Sequence, residues 1–234
     1  LSVMLYIYYK NKKTRQLELE SSPVFPREKT SDILRELITI ALPIIIGVLV
    51  MPTMNTIDLA LVMRRLVSAG FTHAEANTMY AQLTGIAATL INLPQVITSA
   101  IAISLVPVIS SAYAVNDIKR TRENTNLAIR VSLLIGLPCA VGLFVLATPI
   151  IGLLYPNEPA SVGGILAIMA IGVVFLSLIQ SFTSVLQGMG KAHIPVFNLF
   201  VGAAVKFVLT YVLTALPSLN VKGAAISTVV AYVV

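Results

Sequence analysis

The 234-residue sequence has little charge, two histidines and one cysteine, and each shortage excludes something. Only 11% of its residues are charged, against about 25% in soluble domains, so a water-soluble globular fold is excluded. The single cysteine, Cys139 in "GLPCAVGLFVLA", rules out an intrachain disulfide and is expected to be a small buried apolar side chain. His73 and His193 stand apart from each other and from any HExxH or cysteine cluster, so no metal site is indicated. In "GMGK" the lysine is followed by Ala192, and the GxxxxGK[ST] spacing of a phosphate-binding loop is missing. No cofactor is indicated. No Ser/His/Asp set or pair of neighbouring carboxylates appears, so the segment is not expected to be an enzyme. Short alternating segments of about 10 residues, the mark of a membrane β-barrel, are also missing.

What the sequence has in abundance is long apolar text. It is 57% hydrophobic, with a mean hydropathy of +0.90. Several runs reach the roughly 20 residues that a helix needs to cross about 30 Å of hydrocarbon. The fold class expected is an all-α membrane protein, a multi-span helical bundle. Residues 1–9, "LSVMLYIYY", precede the basic "KNKKTR". A signal peptide has the reverse order, so this stretch is expected to be the end of a preceding membrane helix. Residues 10–34 carry both charge signs together with Pro23 and Pro26, and form a polar linker. A lobe of residues 35–234 follows, with spans near 35–63, 80–113, 128–155, 161–188, 195–216 and 223–234. Thr72 and Glu75 in "THAE" fit a capping box that starts the second of these helices near residue 73. The apolar ending "AAISTVVAYVV" predicts that the last span is truncated and that the sequence is a fragment of a longer multi-span protein.

Basic residues alternate between connections. Lys10, Lys12, Lys13, Arg15, Arg27, Lys29 and Arg35 lie in or beside the linker. Lys119, Arg120, Arg122 and Arg130 follow the second span, and Lys191 the fourth. The intervening connections hold Arg64 and Arg65, then none in "YPNEP", then Lys222. Counts of 7, 4 and 1 against 2, 0 and 1 place the linker on the cytoplasmic side. A nucleic-acid binder would gather its charge on one face instead, so nucleic acid is not an expected partner.

Proline and polar residues inside the spans give the functional signal. Pro43 and Pro52 share the first span, Pro94 and Pro107 the second, and Pro138 and Pro149 the third. Each removes a helical hydrogen bond, and bent helices are common in transporters, so these six are candidate hinges. Polar residues fall on single helix faces. Asn55 and Asp58 lie on the first span; Asn92, Gln95 and Ser99 on the second; Ser177, Gln180, Ser181, Ser184 and Gln187 on the fourth. In the fifth span Asn198, Gly202, Lys206 and Thr210 step by four. Such stripes either pack helices together or line a hydrated cavity. The serine-rich stripe favours packing, and those with Asn, Gln, Asp and Lys favour a cavity. Candidate cavity residues are therefore Lys206, Asp58, Asn55, Asn92, Gln95, Gln180 and Asn198. Lys206 is eleven residues from both Pro195 and Pro217, roughly 15 Å from either interface. Its stem of about 6 Å cannot easily reach the headgroups, and exposure to lipid would cost at least about 2.5–3.5 kcal/mol. It is expected to face a hydrated cavity or a carboxylate such as Asp58. Arg64 and Arg65 are either a headgroup-contacting pair or anion contacts at an outer mouth.

The stretches "INLPQVITSAIAISLVPVISSAYA", "SVLQGMGKAHIPV" and "VKFVLTYVLTALPSLNVKGAAIST" resemble the polysaccharide-biosynthesis branch of the MATE-like flippase superfamily, and most closely its stage V sporulation protein B group. The resemblance covers residues 33–234 and implies the second six-helix lobe of a two-lobed flippase, with 10–34 as the inter-lobe linker. It implies export of lipid-linked oligosaccharides or peptidoglycan precursors across the cytoplasmic membrane of a bacterium, by lobes that rock to give alternating access. The partners implied are the lipid-linked sugar or another amphiphile, membrane lipids, the first lobe of the same chain and a coupling cation. Lipid II flippases of the superfamily carry a cavity-facing arginine in a region that here reads "YAQLTGIAATL". Lys206 is the candidate substitute for that charge. The alternatives are a cation-coupled multidrug antiporter of the same fold and a non-transporting membrane scaffold of an envelope-synthesis complex.

Overall fold

The structure, a computed structural model, describes residues 30–216 and 218–234. The expected helix end at 1–9 and all but the last residues of the 10–34 linker lie outside the described residues. The described chain is helical: α1 (Thr30–Ser68), α2 (His73–Ala81), a π-helical turn (Gln82–Ala87), α3 (Ala88–Ala114), α4 (Ile118–Val145), α5 (Ala147–Leu154), α6 (Ser161–Gly188), α7 (His193–Leu213) and α8 (Asn220–Val233). Two compact units divide it, Leu1–Ile40 and Ala41–Val234. Of the first, the described part is the opening turns of α1. All contacts below belong to the second.

Local chemistry sets the helix ends. After α1, Gly70 takes φ +100°, a region that costs glycine nothing. Phe71 N–H then reaches Leu66 O at 3.2 Å and Gly70 N–H reaches Val67 O at 3.1 Å, the paired bonds of a Schellman stop. Phe71 packs on the core that holds Leu66, supplying the apolar contact that goes with it. The same pair of bonds closes α6, from Lys191 N–H to Leu186 O and from Gly190 N–H to Gln187 O, with Gly190 at φ +74°. "GMGK" is thus a helix terminator. Asn116 plays the glycine's part after α3, at φ 58°, and Asp117 then caps α4 by accepting from Arg120 N–H at 2.9 Å. The capping box before α2 is present. Glu75 N–H donates to Thr72 Oγ1 at 3.3 Å, and Thr72 N–H donates to Glu75 Oε2 at 2.8 Å.

Among the described residues four helices are long and apolar enough to cross a membrane: His73–Ala114, Ile118–Val145, Ser161–Gly188 and His193–Leu213. α6 is the central one. In its most apolar window 56% of residues are buried, against 22%, 22% and 11% in the other three. Its Val162, Ile165, Leu166, Met169 and Val173 form the middle of the main core. Small residues let neighbours approach it closely. A Cβ on Gly136 of α4 would sit 2.8 Å from Ser177 Oγ, and one on Gly188 would sit 3.0 Å from Val106 O of α3. Ser132 and Ser181 share a hydroxyl hydrogen bond across the α4–α6 contact. Ser177, Ser181 and Ser184 are all buried, so the serine stripe of α6 packs helices together. Such interhelical bonds are worth roughly 0.6 kcal/mol each in membranes.

Candidate functional site: a buried ion pair between α1 and α7

α7 and α8 pack tightly because glycine removes the obstacle at two places. A Cβ on Gly202 would meet Ala231 O at 3.0 Å, and one on Gly223 would meet the Leu213 backbone at 2.6 Å. Thr210 and Ser227 bridge the same contact at 2.6 Å. The four-residue stripe of α7 therefore divides its work. Gly202 and Thr210 face α8, Asn198 is exposed, and Lys206 turns to α1.

There Lys206 Nζ forms an ion pair with Asp58 Oδ2, across 148 positions of sequence. The Asp58 side chain is 11% exposed and that of Lys206 20%. The other carboxylate oxygen, Asp58 Oδ1, is buried and has no hydrogen-bond partner among the described residues. The phenols of Tyr80 and Tyr232 lie within electrostatic reach of Asp58. Tyr80 also donates from its hydroxyl to Asn55 O at 3.5 Å. Tyr232 leans on Gly172, where a Cβ would stand 3.2 Å from its ring. One carboxylate and one ammonium thus meet between α1 and α7, with the Tyr80 hydroxyl of α2 bound to α1 about one turn away at Asn55.

About two turns further along α1, Arg65 holds α7 a second time. Its Nε donates to Tyr211 O at 3.0 Å, and its guanidinium carbon lies 3.3 Å above the Tyr211 ring centroid. Such stacking contributes about 0.5–1 kcal/mol at exposed sites. Arg65 is therefore engaged within the lobe, and its neighbour Arg64 is exposed. Among the other expected cavity residues, Asn55 and Asn92 are exposed, and Gln95 and Gln180 are half-buried. No side-chain hydrogen bond ties any of these four to the ion pair among the described residues. Of the six prolines, Pro43 and Pro52 lie within α1, Pro94 and Pro107 within α3, and Pro138 within α4. Pro149 stands in the first turn of α5, where the helix is interrupted at Leu146 (φ −95°, ψ 12°). Lacking an N–H, Pro149 cannot bond back to Val145, so the helix restarts rather than continues.

Sequence reasoning missed the π-helical turn. Ala88 N–H reaches back five residues to Leu83 O, a widened turn often found at functional sites. It includes most of "YAQLTGIAATL". The turn buries Gln82, whose Nε2 donates to Glu158 Oε2 at 2.8 Å, tying the start of this span to the "YPNEP" connection. The same residue types occur in ordinary helix, so the sequence carried no signal for it. Tyr80, Tyr211 and Tyr232 were also missed. Their only mark was a polar tip within apolar text.

The family described as lipid II flippase MurJ matches residues 15–234. The chain is 33% identical over 168 residues to stage V sporulation protein B of Bacillus subtilis, covering 72% of this chain and 32% of that protein. It is 26% identical to the lipid II flippase MurJ of the same organism, covering 99% of this chain and 43% of the relative. The chain therefore spans about a third to two fifths of the length of these relatives. Among solved structures, an outward-facing multidrug resistance MATE family transporter of the MOP superfamily superposes with a TM-score of 0.69 at 14% identity. A MOP superfamily transporter from Pyrococcus furiosus superposes with a TM-score of 0.66, also at 14% identity. Each alignment covers 84% of this chain and 42% of the other, and at that identity the likeness establishes the MATE/MOP fold. The chain is a multi-pass protein of the bacterial cytoplasmic membrane and belongs to the lipid II flippase MurJ family.

Proposed function

We propose that this lobe is part of a flippase that moves lipid-linked oligosaccharides or peptidoglycan precursors across the cytoplasmic membrane by alternating access, with no covalent chemistry. The observation that carries the reading is Lys206. It is a cation within an apolar helix, held by a single carboxylate, and one fifth of its side chain is still accessible. A lipid-linked sugar carries its diphosphate at the boundary between lipid and sugar. Two phosphate charges compete well with one carboxylate for an ammonium in a low-dielectric site. When the diphosphate takes Lys206, Asp58 is left buried and uncompensated, which costs about 3–5 kcal/mol. A proton or a coupling cation at Asp58 removes that cost. Loading of the lipid-linked sugar and loading of the cation are then linked through one carboxylate. The first lobe of the same chain supplies the other wall of the cavity, and residues 10–34 form the cytoplasmic linker to it.

The test is transport of lipid-linked sugar by the full-length protein in proteoliposomes. Lys206→Gln and Lys206→Ala are expected to lower transport at least about tenfold per folded, reconstituted protein, the loss of a charge-assisted contact of about 1.4 kcal/mol or more. Normal transport in both variants overturns the role of Lys206. If the parent protein moves no lipid-linked sugar at all, a scaffold role replaces the transport reading.

A further inference from the structure

A cavity of about 430 Å³ opens at the end of the lobe where α2, α6 and α8 begin. It is separate from the Asp58–Lys206 pair and lies within the range of ligand sites. Met79, Ile165 and Val221 give it an apolar wall, and Glu75 and Lys222 bring charges of opposite sign to it. These two form no ion pair with each other, and Lys222 Nζ has no hydrogen-bond or ion-pair partner among the described residues. Two of the polar side chains at the cavity are nevertheless held in place. Glu75 is fixed through Oε2 by Thr72. Gln82, 7% exposed, reaches the cavity wall and is fixed by Glu158. The Lys222 stem lies over Gly164, where a Cβ would stand 3.4 Å from both Cε and Nζ. The start of α6 has no side-chain cap, so its N-terminal dipole end adds to the field of Lys222, whereas in α8 the Lys222 N–H is taken by Asn220 Oδ1 at 3.4 Å.

We propose that this cavity binds the zwitterionic headgroup of an ethanolamine phospholipid, its phosphate against Lys222 and its primary ammonium against Glu75. Two opposite charges that face one cavity without touching suit a ligand carrying both, and a primary ammonium, unlike a quaternary one, has N–H donors for the Glu75 carboxylate, whose Oε1 takes no hydrogen bond from Thr72. A simple anion would meet repulsion from Glu75, and a simple cation repulsion from Lys222. The apolar wall and the position at the ends of apolar spans, where headgroups lie, favour a lipid over a soluble zwitterion. Arg64, Arg65 and Lys222 belong to the connections with fewer basic residues, which puts the site in the outer leaflet.

The experiment is native mass spectrometry of the full-length protein delipidated and then exposed separately to phosphatidylethanolamine, phosphatidylcholine and phosphatidylglycerol. Phosphatidylethanolamine is expected to be retained about tenfold better than the other two, a difference of about 1.4 kcal/mol. Glu75→Gln keeps the capping box, since glutamine serves at that position, and together with Lys222→Gln it tests the charges. Each is expected to reduce retention to the phosphatidylcholine level. Lys119→Gln, at the opposite end of the lobe, is expected to leave it unchanged. Equal retention of the three lipids, or phosphatidylethanolamine retention unchanged in both charge variants, overturns the proposal. So does free phosphoethanolamine binding as tightly as the lipid, which would mark a site for a soluble zwitterion. None of these readouts involves transport, so the inference stands or falls independently of the proposed function.

Discussion

Replacing Lys206 with methionine keeps the length and apolar body of the side chain and removes its charge. Asp58, 7% exposed overall and already lacking a partner for Oδ1, would then be a buried carboxylate with neither oxygen compensated. Removing one partner of such a pair costs about 3–5 kcal/mol, and partial exposure of Lys206 puts the expectation near about 3 kcal/mol. The double variant Asp58→Asn with Lys206→Met removes both charges. It is expected to lie within about 1 kcal/mol of the parent, because a neutral replacement of a buried pair is often harmless. With Asp58→Asn measured as the other single variant, the cycle should therefore return a coupling of at least about 2 kcal/mol. For a cooperative unit of this size, where 1 kcal/mol moves the melting temperature by about 2–4 °C, Lys206→Met should melt roughly 6–12 °C lower and the double variant should recover most of the loss. Thermal unfolding of the full-length protein in detergent, at one scan rate for all variants, measures this. Single and double effects that simply add, with Lys206→Met costing less than about 1 kcal/mol, would refute the reasoning and mean that both groups are solvated.

Two further outcomes follow from the packing. Gly223→Ala drives a methyl into the Leu213 backbone at 2.6 Å, whereas Gly142→Ala in α4 meets nothing within 4 Å. The first is expected to destabilise by about 1–3 kcal/mol, and the second to be neutral or to stabilise by up to about 1 kcal/mol, as read from melting temperatures of the two variants. Arg65→Lys loses both the Nε bond and the planar stack on Tyr211. Cysteines placed at the C-terminal ends of α1 and α7, near Arg65 and Tyr211, are expected to cross-link less often in that variant, and an unchanged yield would show that Arg65 does not hold the two helices together.

Helix ends were the most legible part of the sequence. "THAE" announces its own capping box, and "SAGF" and "GMGK" stop their helices through bonds that span no more than six residues. All six candidate hinge prolines lie in described helices, five of them beyond the first turn. Only Pro149 coincides with a break, because whether a freed carbonyl bends a helix depends on what packs beside it. The stripes were legible as faces but ambiguous as to purpose. Ser177 and Gly202 lie against other helices, whereas Asn92 and Asn198 are exposed, and nothing in residue type separates these outcomes.

The sequence by itself determined that the chain lives in a membrane, that it is helical, where most helices stop, and that Lys206 stands alone as a charge in the middle of an apolar run. These properties follow from transfer free energy summed along a run and from hydrogen bonds between near neighbours, both of which are local. Tertiary structure decided that Asp58 is the carboxylate that meets Lys206, that Arg65 is spent on Tyr211, that Gln82 turns inward to Glu158, and that Glu75 and Lys222 face one cavity. Those pairings join residues many turns apart in the chain. They depend on how helices cross, and the crossing is set by where glycine and serine allow backbones to approach.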